Sequence, residues 1–355
     1  MDVLMAPDSF YFRTQNARKI IVVDFGFLGD SIHLIPALWE IKRHYPKAEL
    51  HTLSASVGAE VLKLAPCVDR VWAFPLTPKS PRWWKHWPIF KELRKERFDV
   101  AFNFSGSDRS IIVTWLTGAK WRLACEAGRK HFWNRWLIPE WVPRQSRELL
   151  VYEQRRQVLA ACGFKLEIPR FGLKVPEESL IWSGQNIPEK SIHFSINASS
   201  PAKEWPLENW IGLAEIIIRV NPLANIVATA SNKPRELERV RALVAAVGSP
   251  RLTSFEGLSL GRLTALLKRC RLHVGADSGV LHLAMASEIP TFSLFRQYDG
   301  LKEWMPVGAQ HECCMVPCEC VAGRQLGCEE KGESACLKKI SPETVFEKMK
   351  RNLLA

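Results

Sequence analysis

The sequence predicts an α/β protein made of two doubly wound domains with mostly parallel sheets. Three observations predict it. Short apolar runs alternate with segments of helical periodicity, the pattern of consecutive βαβ units. The alternation stops near residues 171–188, where Pro169, Pro176, Gly184 and Pro188 interrupt it, and then restarts. The 355 residues, 47% hydrophobic and 24% charged, suffice for two ordinary cores and exclude a largely disordered chain.

The elements follow in order. Residues 19–25 (KIIVVDF) form an apolar run ending at Gly26, a buried strand. Residues 30–44 carry Ile32, Ile35, Leu38 and Ile41 at near-helical spacing, with Asp30 near the start and Pro46 beyond the end. Strands at 48–53, 70–74 and 99–104 and a helix around 57–64 complete the first series. The second series has strands at 191–196, 225–230, 272–275 and 291–295. Its helices are at 207–220, 234–247, 260–269 and 278–287. The predicted domains are 1–175 and 176–340, with a final helix at 341–355.

Three strand-to-helix loops carry the chemistry. Gly26-Phe27-Leu28-Gly29-Asp30 is the first: its glycines allow a sharp turn and close ligand approach, and the helix start offers unpaired N–H groups. Asp30 is either a helix cap or a general base at the carboxyl edge of a parallel sheet, and the two roles are compatible. The second, residues 197–206, sets Asn197, Ser199 and Lys203 among small residues, which suits an anion such as a diphosphate. A solvated loop, with Trp205 and Pro206 stapling the next helix, is its plain alternative. The third is Gly275-Ala276-Asp277-Ser278-Gly279-Val280-Leu281-His282. Asp277 and Ser278 suit a helix cap, a phosphate or sugar hydroxyls; His282 is a loop support or a core histidine.

Together these segments resemble glycosyltransferase family 9, the heptosyltransferases. The matching residues are Leu28-Gly29-Asp30 with His33 and Pro36; Lys203, Trp205, Pro206, Glu208, Asn209 and Trp210; and Asp277, Ser278, Gly279, His282 and Ala284, with residues 340–343 also similar. Each motif alone is weak, but three in order over residues 19–295 make a strong signal. The resemblance implies the GT-B fold, two Rossmann-like domains facing across a cleft, with the final helix packing back on the first domain. It implies ADP-L-glycero-D-manno-heptose as donor, inversion, and a lipopolysaccharide inner-core acceptor. Asp30 matches the base and Lys203 the diphosphate ligand. Asn197, Ser199, Ser231, Leu258, Asp277, Ser278, Gly279 and His282 would line the donor site, and Gly26, Phe27, Gly29, Arg129 and Lys130 the acceptor site. No cofactor is expected, since none of the nine Asp residues forms the Asp-x-Asp pair that carries metal in the other main glycosyltransferase architecture. Two departures are visible: Gly26-Phe27 replaces a Ser-rich pair, and the strand at 191–197 lacks the usual Gly near its end. They leave room for a different nucleotide sugar or acceptor. A second alternative is a non-catalytic sugar-nucleotide or glycolipid-binding protein, against which the joint retention of Asp30, Lys203 and Asp277 argues.

The net charge of +12 favours anionic partners. Residues 79–97 hold seven Lys/Arg against two acids with Trp83, Trp84 and Trp87, and residues 129–147 hold five against Glu140 with Trp133, Trp136 and Trp141. Such stretches suit a phosphorylated glycolipid at an anionic membrane face, or a solvated face over core tryptophans; nucleic acid is the competing partner but is not expected. No apolar run spans a bilayer and residues 1–18 lack a signal pattern, so the expected location is cytoplasmic, peripheral at the inner membrane face. Cys67, Cys125, Cys162 and Cys270 read as buried small hydrophobes. Six further cysteines crowd into residues 313–336; Cys318, Cys320, Cys328 and Cys336 are candidate zinc ligands, although their spacing departs from paired Cys-x₂-Cys knuckles, and reduced metal-free thiols or disulfides are the alternatives.

Overall fold

The structure is a computed structural model that describes residues 8–75, 87–126, 131–298, 300–317, 332 and 334–354. The chain divides into two compact units, residues 1–174 and 175–355.

In the first unit a short helix α1 (Phe10–Thr14) precedes β1 (Lys19–Asp24), α2 (Leu28–His44), β2 (Glu49–Ala55), α3 (Ser56–Leu62) and β3 (Arg70–Phe74). Then come α4 (Trp87–Lys95), β4 (Val100–Asn103), α5 (Asp108–Leu116), β5 (Trp121–Cys125), α6 (Asn134–Leu137), β6 (Glu140–Val142) and α7 (Val151–Ala161). The six strands lie in the order β3-β2-β1-β4-β5-β6, every neighbouring pair parallel. A parallel sheet covered on both faces needs continuously apolar central strands. Ile20 to Val23 of β1 meet this need, all fully buried. In register, β1 runs from Lys19 opposite Glu49 to Asp24 opposite Ser54.

The second unit repeats the plan with α8 (Glu177–Asn186), β7 (Ser191–Ser195), α9 (Leu207–Val220), β8 (Ile226–Ala230), α10 (Pro234–Val247), β9 (Leu252–Glu256) and α11 (Leu260–Arg269). It continues with β10 (Cys270–Ala276), α12 (Gly279–Ala286), β11 (Thr291–Leu294), β12 (His311–Cys314), α13 (Ala335–Lys338) and α14 (Pro342–Leu354). The sheet order is β12-β11-β10-β7-β8-β9, again parallel throughout. Helix α10 stops at Gly248, whose φ of 59° is the left-handed conformation that ends helices.

In both units the strand order reverses direction beside the first strand, between β1 and β4 and between β7 and β10. In open α/β sheets the crevice at the carboxyl ends of such a pair is where ligands bind. All three loops singled out in the sequence follow a strand of these pairs.

One expectation is corrected. The last helix was assigned to packing on the first unit, but its apolar face belongs to the core of the second. Val345, Phe346 and Met349 are buried there with Trp205, Trp210, Leu213 and Ile340, and α14 lies against α9. The reason is the spacing of those three residues, one helical stripe, and the exposed apolar side of α9 that it covers. The four scattered cysteines are buried as expected.

Candidate active site

The first-unit site grows from the end of β1. Asp24 is the last residue of that strand and is buried. Its Oδ1 accepts from the Gly26 N–H at 2.7 Å, which turns the chain out of the sheet. Helix α2 then begins, and Asp30 in its first turn accepts from the Phe27 N–H through Oδ2 at 2.9 Å. That carboxylate therefore does cap the helix, where negative charge also meets the positive end of the helix dipole. Gly26 is required by close approach: a Cβ there would lie 2.2 Å from Asp30 Cβ and 3.0 Å from Asp24 Oδ1. Burial raises the Asp30 carboxyl above its ordinary range; the Arg155 guanidinium opposes the shift, and Asp24 adds to it.

Arg155 arrives from α7. Its Nη2 is 2.8 Å from Asp24 Oδ2, and its Nη1 donates to the Asp30 backbone carbonyl. Both charged groups are nearly inaccessible, so the pair is held at the edge of the core rather than in solvent. Around it, His33 is buried and stacks on Tyr152 at 5.8 Å. Phe27 is 88% exposed and Gly29 is buried. At the end of neighbouring β4, Asn103 Oδ1 accepts from the N–H groups of Ser105 and Gly106 and from Ser110 Oγ. The result is a polar edge with one buried carboxylate tied to arginine and a second, Asp30, whose proton affinity burial raises.

The second-unit site unites the loops after β7 and β10. Lys203 Nζ lies 2.7 Å from Asp277 Oδ2, and the Tyr298 hydroxyl donates to the same oxygen at 3.3 Å. Lys203 also lies 5.6 Å from the Tyr298 ring centroid. Asp277 is buried while Lys203 keeps part of its surface in water. Ser278 is the residue before α12, in extended conformation, but its hydroxyl does not make the capping bond. That hydroxyl is buried without a partner among the described residues, as is Asn197 Oδ1. Buried polar atoms are ordinarily paired, so these two are open to a partner from outside the described residues.

The loop carrying Lys203 is folded by Glu204, which was not foreseen. Its Oε1 accepts from the Ala198 N–H at 2.8 Å and its Oε2 pairs with Arg235 Nη1 at 2.6 Å. Trp205 and Trp210 are fully buried and meet edge to face at 5.2 Å. The Trp205 indole N–H and the Asn209 amide both donate to the Ile340 carbonyl, at 2.9 and 3.1 Å. This half of the motif thus does the stapling, and leaves Lys203 as its projecting cation. Ser199 and Ser231 are exposed, and Leu258 is half-buried; the Ser231 N–H donates to Glu236 Oε2 at 3.2 Å.

Beneath these loops lie three buried histidines. His193 and His273 face each other with Nδ1 atoms 2.8 Å apart, and His193 Nε2 reaches Thr229 Oγ1 at 2.9 Å. Burial takes His193 down to about 3 and His273 well below its ordinary value. His282 packs on Trp304 with ring centroids 5.4 Å apart. Burial brings it down to about 4, with Asp277 raising and Lys203 lowering it. All three are neutral at neutral pH. His282 is therefore buried in the core, the plainer of the two roles the sequence left open.

Arg129, Lys130, Cys318, Cys320 and Cys328 lie outside the described residues. Cys336 is buried with Ser334 Oγ 3.0 Å from its sulfur. Among the described residues no group of His, Cys, Asp and Glu side chains is arranged to hold a metal.

Two doubly wound units, each with its polar residues at the strand-order reversal, define a protein of the doubly wound α/β class, and comparison with known proteins places it further. The sequence model of glycosyltransferase family 9 (heptosyltransferase) matches residues 86–333, and the chain belongs to that family and is a glycosyltransferase. It is 22% identical over 291 residues to the lipopolysaccharide core heptosyltransferase OpsX of Haemophilus influenzae, covering 81% of this chain and 82% of that one. It is 25% identical over 369 residues to lipopolysaccharide heptosyltransferase 1 of Pseudomonas aeruginosa, covering 95% and 98%. Its fold matches that of the E. coli ADP-heptose lipopolysaccharide heptosyltransferase II with a TM-score of 0.76, 19% identity, and 95% and 98% coverage. The fold is α/β of the GT-B type.

Proposed function

We propose that the chain transfers heptose from ADP-L-glycero-D-manno-heptose to the inner core of lipopolysaccharide, to a Kdo or heptose residue, with inversion at the anomeric carbon. The observation that carries this is the Lys203–Asp277 pair beside the orphaned Ser278 hydroxyl, at the start of α12 and at a strand-order reversal. A cation, exposed helix N–H groups and a free hydroxyl suit a diphosphate, and a carboxylate suits sugar hydroxyls. The names of the relatives supply the sugar and the acceptor.

In this reading the second unit holds the donor. Lys203 and the N–H groups at Ser278 and Gly279 stabilise the charge that develops on the departing ADP, without a required metal. Asn197, Ser199, Ser231 and Leu258 complete the nucleotide site, and Asp277, supported by His282, orients the heptose. Asp30 takes the proton of the acceptor hydroxyl as its oxygen bonds to the anomeric carbon and the bond to the diphosphate oxygen breaks. Its raised proton affinity makes it a better base than an ordinary surface carboxylate. Gly26, Phe27, Gly29, Arg129 and Lys130 belong to the acceptor side. The acceptor is lipid-linked, so the enzyme works at the cytoplasmic face of the inner membrane. No helix among the described residues is long and apolar enough to cross a membrane.

The reading is tested by thermal shift with ADP, UDP, GDP and CDP. At about 100 times its dissociation constant the cognate nucleotide adds about 2.7 kcal/mol. ADP is expected to stabilise most. A larger shift with another nucleotide replaces the donor, and no shift with any of the four sinks the assignment.

A further inference from the structure

The first unit carries an open groove whose lining among the described residues is apolar: Ile112 and Trp115 of α5 with Phe132, Trp133, Trp136 and Leu137 around α6. Phe132 is 87% exposed and Trp136 82%. Two aromatic rings left this bare beside further apolar surface are unfavourable in water and mark an interaction site. The groove is not a loose flap. Behind it Ile111, Ala124 and Ile138 form a small buried cluster against which Trp133, Leu137 and Trp141 pack. The Arg122 guanidinium donates to the Leu137 carbonyl at 2.7 Å and fixes the end of α6.

The surround is basic. Arg94 is exposed, and its guanidinium lies 5.9 Å from the centre of the Trp115 ring. Arg109 is exposed one turn before Ile112 on the same face of α5, and Arg135 is exposed next to Trp136. The acids nearest in sequence, Asp108 and Glu140, are engaged by His131 at 3.4 Å and by Arg13 at 2.8 Å. Bare Trp and Phe within a ring of arginines match the interface of an anionic bilayer: rings settle at headgroup depth and guanidiniums meet lipid phosphates. A second protein copy would have to cover the arginines as well as the rings, and the acids nearest in sequence are already paired within the chain.

We propose that this groove is the surface by which the protein docks on an anionic phospholipid bilayer. Its position suits the purpose. Ser110 of α5 hydrogen-bonds to Asn103 at the carboxyl end of β4, and β4 pairs with β1, whose end leads to Asp30. Helix α5 therefore starts at the same sheet edge as the proposed base and carries its apolar side chains onward from there. The inference deepens the proposed function, resting on the reading that the acceptor is lipid-linked.

Vesicle binding by the full chain tests it, with neither donor nor acceptor present, so that failure here is separate from failure of the ADP measurement. The wild type is expected to co-float with phosphatidylcholine vesicles containing one-third phosphatidylglycerol and not with phosphatidylcholine alone. F132S/W136S should lower that partitioning at least about tenfold, since each lost ring removes a buried apolar side chain's share of the binding. R109Q/R135Q should lower it and flatten its salt dependence. Both variants should keep the wild-type melting temperature and ADP shift. In the wild type, brominated phosphatidylglycerol should quench tryptophan fluorescence, a readout that needs no variant. The proposal is overturned if wild type ignores anionic vesicles, or if F132S/W136S binds them as tightly. It is equally overturned if sedimentation shows a wild-type dimer that the double substitution turns to monomer.

Discussion

Arg155 ties Asp24 to Asp30: one guanidinium nitrogen sits 2.8 Å from the Asp24 carboxylate and the other donates to the Asp30 backbone carbonyl. A side chain from α7 thereby sets the angle at which β1 hands over to α2. Removing one partner of such a buried pair leaves the other charge uncompensated, at a cost of about 3–5 kcal/mol. Arg155→Ala should lose stability on that scale by denaturant titration. D24N/R155M, which removes both charges, should recover most of it. The same Arg155→Ala change removes the influence that lowers Asp30's proton affinity, so the acidic limb of the kcat/KM profile should move to higher pH. A limb that stays put would show that Asp30 is not the group titrating.

Asp30 itself gives the second prediction. Its folded-state proton affinity is raised by burial, so activity should fall off on the acid side above the ordinary Asp value of ~3.9. Asp30→Asn should cut turnover by ~10²–10⁴ while leaving the ADP thermal shift intact. An Asn variant with full turnover removes Asp30 from the chemistry.

Gly26→Ala should injure the same step without touching a charge. The added methyl meets the Asp30 side chain at 2.2 Å, so either that carboxylate or the turn must move. Overpacking of this kind costs about 1–3 kcal/mol. Turnover should drop while ADP affinity, measured by calorimetry, remains at the wild-type value.

Lys203→Ala should act on the other unit. It removes a charge-assisted contact to the diphosphate and strands Asp277. ADP affinity should fall roughly tenfold to a hundredfold. Unchanged affinity would take Lys203 out of the donor site.

The buried histidines set an acid limit on stability. In the unfolded chain each titrates near ~6.5, whereas in the fold His282 sits at about 4 and His193 at about 3. Folded-state values below the unfolded ones mean that stability is complete above ~6.5 and is lost as pH falls toward the folded values. Each histidine contributes up to about 1.4 kcal/mol per pH unit in that window. Melting temperature should therefore decline between about pH 6.5 and about pH 5, before most carboxylates begin to protonate. A flat curve would mean that these rings are hydrated.

Much of this was legible in the sequence because the signals are local. The run KIIVVD announces β1, and the three strand-to-helix loops announce the polar edges, since each combines a strand end, small residues and a helix start within a short stretch of chain. The pairing of Lys203 with Asp277 follows from two loops recognised separately, although their contact was not foreseen. Arg155 was missed because its partners lie 125 and more residues earlier and nothing in α7 distinguishes it from a solvated arginine. Asp24 did carry a signal, a charge closing a fully apolar strand, that deserved a partner search. Glu204, Arg235 and Tyr298 were missed for the same reason as Arg155: each acts through a neighbour brought close only by the sheet. The place of the last helix was carried over from the family resemblance; its own residues say only that one face is buried, not against what.

The contribution of α14 to the second core has a bearing on how the protein is made. The first unit has every strand and helix it needs once residue 174 has emerged from the ribosome, and it can close while synthesis continues. The second cannot, because Val345, Phe346 and Met349 complete the packing around Trp205 and Trp210. Throughout elongation those indoles lack part of their cover, so a message truncated before codon 345 yields a nascent chain with one finished half and one that chaperones and proteases will seize.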